Sequence, residues 1–271
     1  MSVRAVPIAR SAPPELHALI ASNARLWAAE AEVFSVYFAS PKRSAASDEV
    51  WLARQCFKEL VDGVVGRFTQ LTAGETDFAR TRSAAQSALG DDVVRVELGH
   101  YVAFAIAHQA SRRERAGPVV ASARIGADWP ENAELQNLRA RQRLEFGALG
   151  SRASAFTEGG YCTLYSAGIA LPRATPRDHA IAEACAQVFD DEWKHMLEGI
   201  AGLAEAPLDA ADWKVLEDLT LAQGRCRIRM RNAQFGSPLA ESRLRELEAG
   251  AAEPLAFDYV RAALLPPWDS R

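Results

Sequence analysis

The chain has 271 residues, of which 49% are hydrophobic and 24% charged, and its 31 basic and 35 acidic residues give a net charge of −4. This is the composition of a compact soluble protein, and it excludes collagen-like, disordered and membrane-spanning chains. The slightly acidic balance argues against nucleic acid or anionic lipid as a partner. The first 14 residues lack the apolar run of a secretory signal, and the four cysteines are scattered, so we expect a cytoplasmic protein with reduced thiols.

Apolar residues recur at helical spacing along most of the chain, which predicts an all-α protein. A connection over 112–130, containing Gly-Pro and Trp-Pro steps, is long enough to cross a bundle. Two antiparallel helix pairs joined by one long crossover predict a ferritin-like four-helix bundle. We expect one domain over 1–271, with a core bundle at about 48–205, an N-terminal helix at 14–40 and C-terminal helices within 209–249. In chain order, the predicted helices cover about 14–40, 49–72, 77–111, 131–171, 176–206, 209–235 and 239–249.

Two of the five histidines follow a glutamate by three residues, in the pairs Glu97–His100 and Glu192–His195. Residues i and i+3 share one face of a helix, so each pair can present a carboxylate and an imidazole to one metal ion. Both pairs lie on apolar stripes, where charged groups are costly unless they are paired or bind metal. The two pairs therefore predict a metal site between their helices.

Two further carboxylates complete this candidate site. Glu158 and Glu192 lie at similar distances from Pro172 and Pro176, so they would meet at nearly equal height across a helix hairpin. Glu59 is the candidate from the second helix, and Asp62, one turn later, is the reserve.

These residues resemble the ligand pattern of the ferritin-like di-iron carboxylate oxidases and oxygenases, over about 48–203. The segment 191–195 is similar to the Asp-Glu-x-Arg-His motif of that superfamily, with Lys194 in place of Arg. The resemblance implies two Fe ions, with a Mn/Fe pair as the alternative, and Asp191 as the carboxylate that orients an imidazole ligand. The six metal ligands it implies are Glu59, Glu97, His100, Glu158, Glu192 and His195.

The resemblance also implies a function: a non-haem di-iron oxidase or monooxygenase that uses O2 to oxidise a small organic substrate through a peroxo or high-valent di-iron intermediate. No Gly-x-Gly-x-x-Gly fingerprint is present, so an external reductase or ferredoxin is the expected electron donor. Whether the protein forms a homodimer is left open. Val188 stands where the arylamine N-oxygenase branch carries an additional histidine, so an identical site is not expected.

Two alternatives to this function stay open. One is a rubrerythrin-like or ferritin-like protein that handles iron or peroxide without an organic substrate. The scattered cysteines, however, cannot form the rubredoxin module that rubrerythrins usually carry. The other is a di-iron tRNA hydroxylase, against which the acidic net charge argues.

Small residues beside the ligands predict a substrate pocket, since each Gly inside a helix costs about 1 kcal/mol. The predicted pocket residues are Gly99, Gly159, Gly160, Tyr161 and Cys162, with close helix packing as the alternative. The alternating arginines between Arg225 and Arg231 are expected to form a solvated face, with a docking surface for an acidic redox partner or for a substrate phosphate or carboxylate as the alternative.

Overall fold

The computed structural model describes residues 11–59, 92–117 and 128–265. Regular structure in these ranges is helical throughout, which confirms the all-α prediction. Asp62, the end of the second predicted helix and the start of the third lie outside the described residues. None of the helices in the described ranges is long and apolar enough to cross a membrane.

We number the described α-helices in chain order, and a short 3-10 segment, here called the 158–162 turn, lies between α5 and α6. Their bounds are α1 Pro14–Ala39, α2 Ala45–Glu59, α3 Asp92–Glu114, α4 Pro130–Phe146, α5 Ala148–Phe156, the turn Glu158–Cys162, α6 Thr163–Ile169, α7 Pro176–Ala204, α8 Ala210–Gln234 and α9 Glu241–Glu248.

Proline and capping residues determine where several of these helices begin. Pro14 and Pro176 occupy the first helical positions of α1 and α7, where a missing N–H is tolerated. The Thr175 side chain accepts a hydrogen bond from the Asp178 backbone N–H, and Asp209 forms a capping box at the start of α8. These starts agree with the predicted ones to within one residue.

The helices pack as a bundle around one large apolar core. Helix α3 packs along both α2 and α7, while α5, the 158–162 turn and α6 pack against α7. Helix α1 pairs with α8 and also contacts α6 and the turn, so the N-terminal helix reaches the interior of the bundle. Trp51, Phe104 and Phe156 are among the fully buried side chains of this core.

The predicted continuous helix over 131–171 is wrong, because the chain breaks it twice. Gly147 has a φ of 54° between α4 and α5. In the 158–162 turn, Gly159, Gly160, Tyr161 and Cys162 all have a positive φ. Apolar residues keep helical spacing through both breaks, so the pattern alone did not reveal them.

Helix α7 crosses α5 at Gly199. A Cβ atom at this position would lie 2.6 Å from the carbonyl oxygen of Ala155. We therefore expect Gly199→Ala to lower the free energy of unfolding by about 1–3 kcal/mol, as overpacking does. Gly202→Ala is the matched control on the same helix, since a Cβ there meets nothing within 4 Å, and it should raise stability by up to about 1 kcal/mol. Urea denaturation of both variants measures the difference, and equal effects would contradict the assigned close approach.

Candidate metal centre

Helices α2 and α3 bring three of the predicted ligands into one group. Glu59 is the last described residue of α2, and Glu97 and His100 lie one turn apart on α3. One potential ligand atom from each of the three residues lies within 4.8 Å of the others. Glu59 and His100 are only 4% and 1% exposed and the Glu97 side chain is 16% exposed, so the group is largely shielded from water. The i, i+3 spacing thus produces the shared face that the sequence predicts.

The His100 imidazole occupies the middle of an acidic cluster. Its Nδ1 lies 3.8 Å from Glu59 Oε2, 3.8 Å from Glu97 Oε2 and 3.9 Å from Glu192 Oε1. These distances are too long for hydrogen bonds, and Nδ1 is a buried atom without a hydrogen-bond partner among the described residues. Glu192 belongs to α7, so the cluster joins three helices.

The other imidazole nitrogen is held by Asp191. His100 Nε2 lies 3.2 Å from Asp191 Oδ2, a contact between α3 and α7. A carboxylate on one ring nitrogen fixes the tautomer and leaves the other nitrogen as a ligand. His100 can therefore bind a metal through Nδ1 while Asp191 orients its ring.

These residues fit a metal ion. When two donor atoms each bind one ion at about 2.1 Å, the two atoms lie about 3 to 4.2 Å apart. The distances of 3.8–3.9 Å from His100 Nδ1 to the three carboxylates fall within this range. A buried nitrogen without a partner normally costs stability, and an ion between it and the carboxylates would satisfy it. Three carboxylates with an imidazole form a hard, oxygen-rich donor set that suits iron or manganese.

The cluster crowds acids around the His100 imidazole, and Lys58 is a second base whose charge lowers the pKa of both Glu59 and Glu192. Burial alone would lower the pKa of His100, but attraction to Glu59, Glu97 and Glu192 raises it to about 9. Burial and repulsion from Glu59 raise the pKa of Glu97 to about 7 and also raise that of Glu192. Burial opposes the ionised form of Glu59 too, but attraction to His100 lowers its pKa. Without a metal, a protonated His100 balances part of the acidic charge.

The remaining predicted ligands lie nearby but outside the tight group. Glu158 is exposed at the start of the 158–162 turn, and its charge is close enough to raise the pKa of both Glu97 and Glu192. His195 is half-buried on α7, one turn beyond Glu192. In the described part of the chain, no hydrogen bond or ion pair joins Glu158 or His195 to the Glu59–Glu97–His100 group. Their role as ligands stays a prediction, as does that of Asp62.

Of the predicted pocket residues, the two consecutive glycines face different neighbours. A Cβ at Gly159 would lie 3.5 Å from Glu192 Oε2, so this glycine borders the acidic cluster. A Cβ at Gly160 would overlap the side chains of Arg227 and Glu30. Close packing therefore accounts for Gly160. A cavity of about 450 Å³ lies elsewhere, between the end of α1, the start of α2 and the end of α8.

The prediction that the arginine run is a solvated face is wrong for two of its members. Arg227 and Arg231 are 5% and 1% exposed, and both pair with the buried Glu30 of α1. Positions i and i+4 share one helix face, so these two point inward together. Arg229, between them, points outward and pairs with Glu248.

No known protein-family model, curated protein or solved structure matches the chain.

Proposed function

We propose that the protein is a non-haem di-iron oxidase or monooxygenase that uses O2 to oxidise a small organic substrate. The observation that carries the proposal is the buried Nδ1 of His100, which has no hydrogen-bond partner among the described residues and faces three carboxylates at 3.8–3.9 Å. A buried arrangement of this kind is costly for an apoprotein and suited to a cation.

The ligands divide into two sets of three. Glu59, Glu97 and His100 would hold one ion, and the second set, Glu158, Glu192 and His195, would hold the other. Together they offer four carboxylates, enough to neutralise two divalent ions, with an imidazole for each. Iron bound here would supply the electrons that reduce O2, and a Mn/Fe pair is the alternative composition.

The protein's own groups would manage protons and solvent. Metal binding requires His100 Nδ1, Glu97 and Glu192 to lose the protons that their raised pKa values favour, so loading releases protons. The Asp191 carboxylate accepts a hydrogen bond from His100 Nε2–H and keeps the ring aligned. The near-complete burial of Glu59 and His100 excludes bulk water from this half of the site. Since O2 reduction consumes electrons, the proposal includes an external reductase or ferredoxin as donor.

Metal content tests the proposal first. Protein from iron-supplemented cells, analysed by inductively coupled plasma mass spectrometry, should contain about two Fe, or one Fe and one Mn, per chain. The anaerobically reduced protein should consume O2 on mixing, with a change in its optical spectrum. Absence of stoichiometric iron and manganese would refute the proposal. If the loaded protein instead decomposes added peroxide rapidly and oxidises no organic compound in a substrate screen, the peroxide-handling alternative would replace it.

A further inference from the structure

The 158–162 turn is a strained segment directly beside the acidic cluster. Its four consecutive residues Gly159, Gly160, Tyr161 and Cys162 have φ values of 71°, 53°, 55° and 54°. A left-handed conformation is unfavourable for residues other than glycine, so surrounding contacts must hold the turn in place. The Tyr161 hydroxyl contributes by donating to the Ala256 carbonyl and accepting from the Asp258 backbone N–H.

One side of the turn rests on Glu192. A Cβ at Gly159 would lie 3.4 Å from the Glu192 carbonyl oxygen and 3.5 Å from its carboxylate. Glu158 immediately precedes this glycine. The path of the turn therefore determines where the Glu158 carboxylate stands relative to Glu192.

The other side of the turn rests on a buried ion cluster. Arg227 donates from Nε and Nη2 to the two carboxylate oxygens of Glu30, at 3.1 and 2.8 Å. A side chain at Gly160 would overlap this pair, since Glu30 Oε2 lies 2.5 Å from the expected Cβ position. The backbone of the turn thus packs directly on the Glu30–Arg227 pair.

The Glu30 ion cluster also connects to the other half of the site. We call each series of contacts from Glu30 to a metal ligand an arm, and this is the second arm. Arg231 donates to Glu30 Oε1 at 3.1 Å and, through Nη1, to Gln55 Oε1 at 3.1 Å. The Gln55 amide in turn donates to Glu59 Oε1. Glu30, Gln55 and Glu59 are all at most 4% exposed. Glu59 is therefore fixed through a buried chain that begins at Glu30.

We propose that Glu30 and its two arginines position the metal ligands by two separate arms: Arg227 supports the Glu158–Glu192 half through the 158–162 turn, and Arg231 supports Glu59 through Gln55. The inference rests on the proposed function. None of Glu30, Arg227, Arg231 and Gln55 would touch the metal, so each is a positioning residue.

Separate replacement of the two arms tests this inference. Arg227→Lys keeps the charge but loses the two-point contact with Glu30, and Gln55→Leu removes the hydrogen bond to Glu59. Ion number and affinity are measured by anaerobic Fe²⁺ and Mn²⁺ titration with mass-spectrometric metal analysis. Each variant should keep one ion at near wild-type affinity and weaken the other by about 10- to 100-fold, as loss of an orienting partner does.

Combination with Glu158→Gln identifies which ion each arm controls. Glu158→Gln alone should weaken one ion. Adding Arg227→Lys should weaken no further ion, whereas adding Gln55→Leu should weaken the second. Arg229→Lys, on the outward face of α8, is the control and should bind two ions like the wild type. A merely structural role would instead lower the affinity of both ions alike.

The outcomes separate this inference from the proposed function. A wild-type protein that binds no metal refutes the proposed function. A wild-type protein that binds two ions, together with Arg227→Lys and Gln55→Leu proteins that keep both or lose both equally, overturns the two-arm inference alone. Glu158→Gln changes an exposed residue and leaves the core packing untouched, so two unaffected ions in that variant would overturn the inference even if the core variants do not fold.

Discussion

Replacing His100 with alanine is expected to remove the ion held by Glu59, Glu97 and His100. The substitution deletes the one nitrogen ligand of this group and leaves its carboxylates to repel each other. The affinity for this ion should fall by more than the roughly 10- to 100-fold that loss of an orienting partner costs. Anaerobic titration with Fe²⁺, together with metal analysis after gel filtration, measures the loss.

Asp191→Asn is expected to weaken metal binding less than His100→Ala does. It keeps the size of the side chain but exchanges an anionic acceptor for an amide beside His100 Nε2. We therefore expect the affinity for the ion to fall by roughly 10- to 100-fold. Glu183→Gln is the matched control, because Glu183 is also on α7 and pairs with Arg173 at the surface. It should bind metal like the wild type. Wild-type iron content in a folded His100→Ala protein would contradict the assignment of Nδ1 as a ligand.

Local sequence signals predicted the starts of α1, α7 and α8 because those starts depend on local chemistry. Pro14, Pro176 and Asp209 act within the first turn of their own helices, and the starts followed from them. The break at the 158–162 turn depends instead on contacts with α1, α7 and α8, which the sequence does not display. Gly159 and Gly160 are unusual residues inside a predicted helix, and the sequence predicts a pocket beside them. Gly160 instead packs closely against Arg227 and Glu30.

The candidate site shows the same division. Glu97 and His100 share a face through helical spacing alone, and Glu59, the candidate from the second helix, lies beside them. The inward orientation of Arg227 and Arg231 could not be predicted, because their partner Glu30 lies 197 and 201 residues away in the sequence. The i, i+4 spacing within the arginine run was the one available signal, and the outward Arg225 and Arg229 obscured it.

The buried position of Glu30 predicts a large loss of stability on its removal. Glu30→Ala would leave the guanidinium groups of Arg227 and Arg231 buried without their counter-ion, so the free energy of unfolding should fall by about 3–5 kcal/mol. Glu32→Ala is the matched control on the same helix, since Glu32 pairs with Arg243 where both side chains are partly exposed. That change should cost at most about 1 kcal/mol. Urea denaturation at pH 7 compares the two, and equal costs would show that burial does not strengthen the Glu30 pairing.

The pH dependence of this difference follows from the direction of the Glu30 pKa shift. Burial alone would raise that pKa, but attraction to Arg227 and Arg231 lowers it below its ordinary value. A carboxyl whose pKa is depressed by folding stabilises the protein above its unfolded pKa, near 4.3, and loses this contribution as the pH falls through the folded value. The stability gap between wild type and Glu30→Ala should therefore be full at pH 7 and narrow as the pH falls below about 4, because protonation of Glu30 unpairs the same two arginines that the substitution does. A gap that stays constant down to pH 3 would mean that lost packing, rather than the charge of Glu30, accounts for the destabilisation.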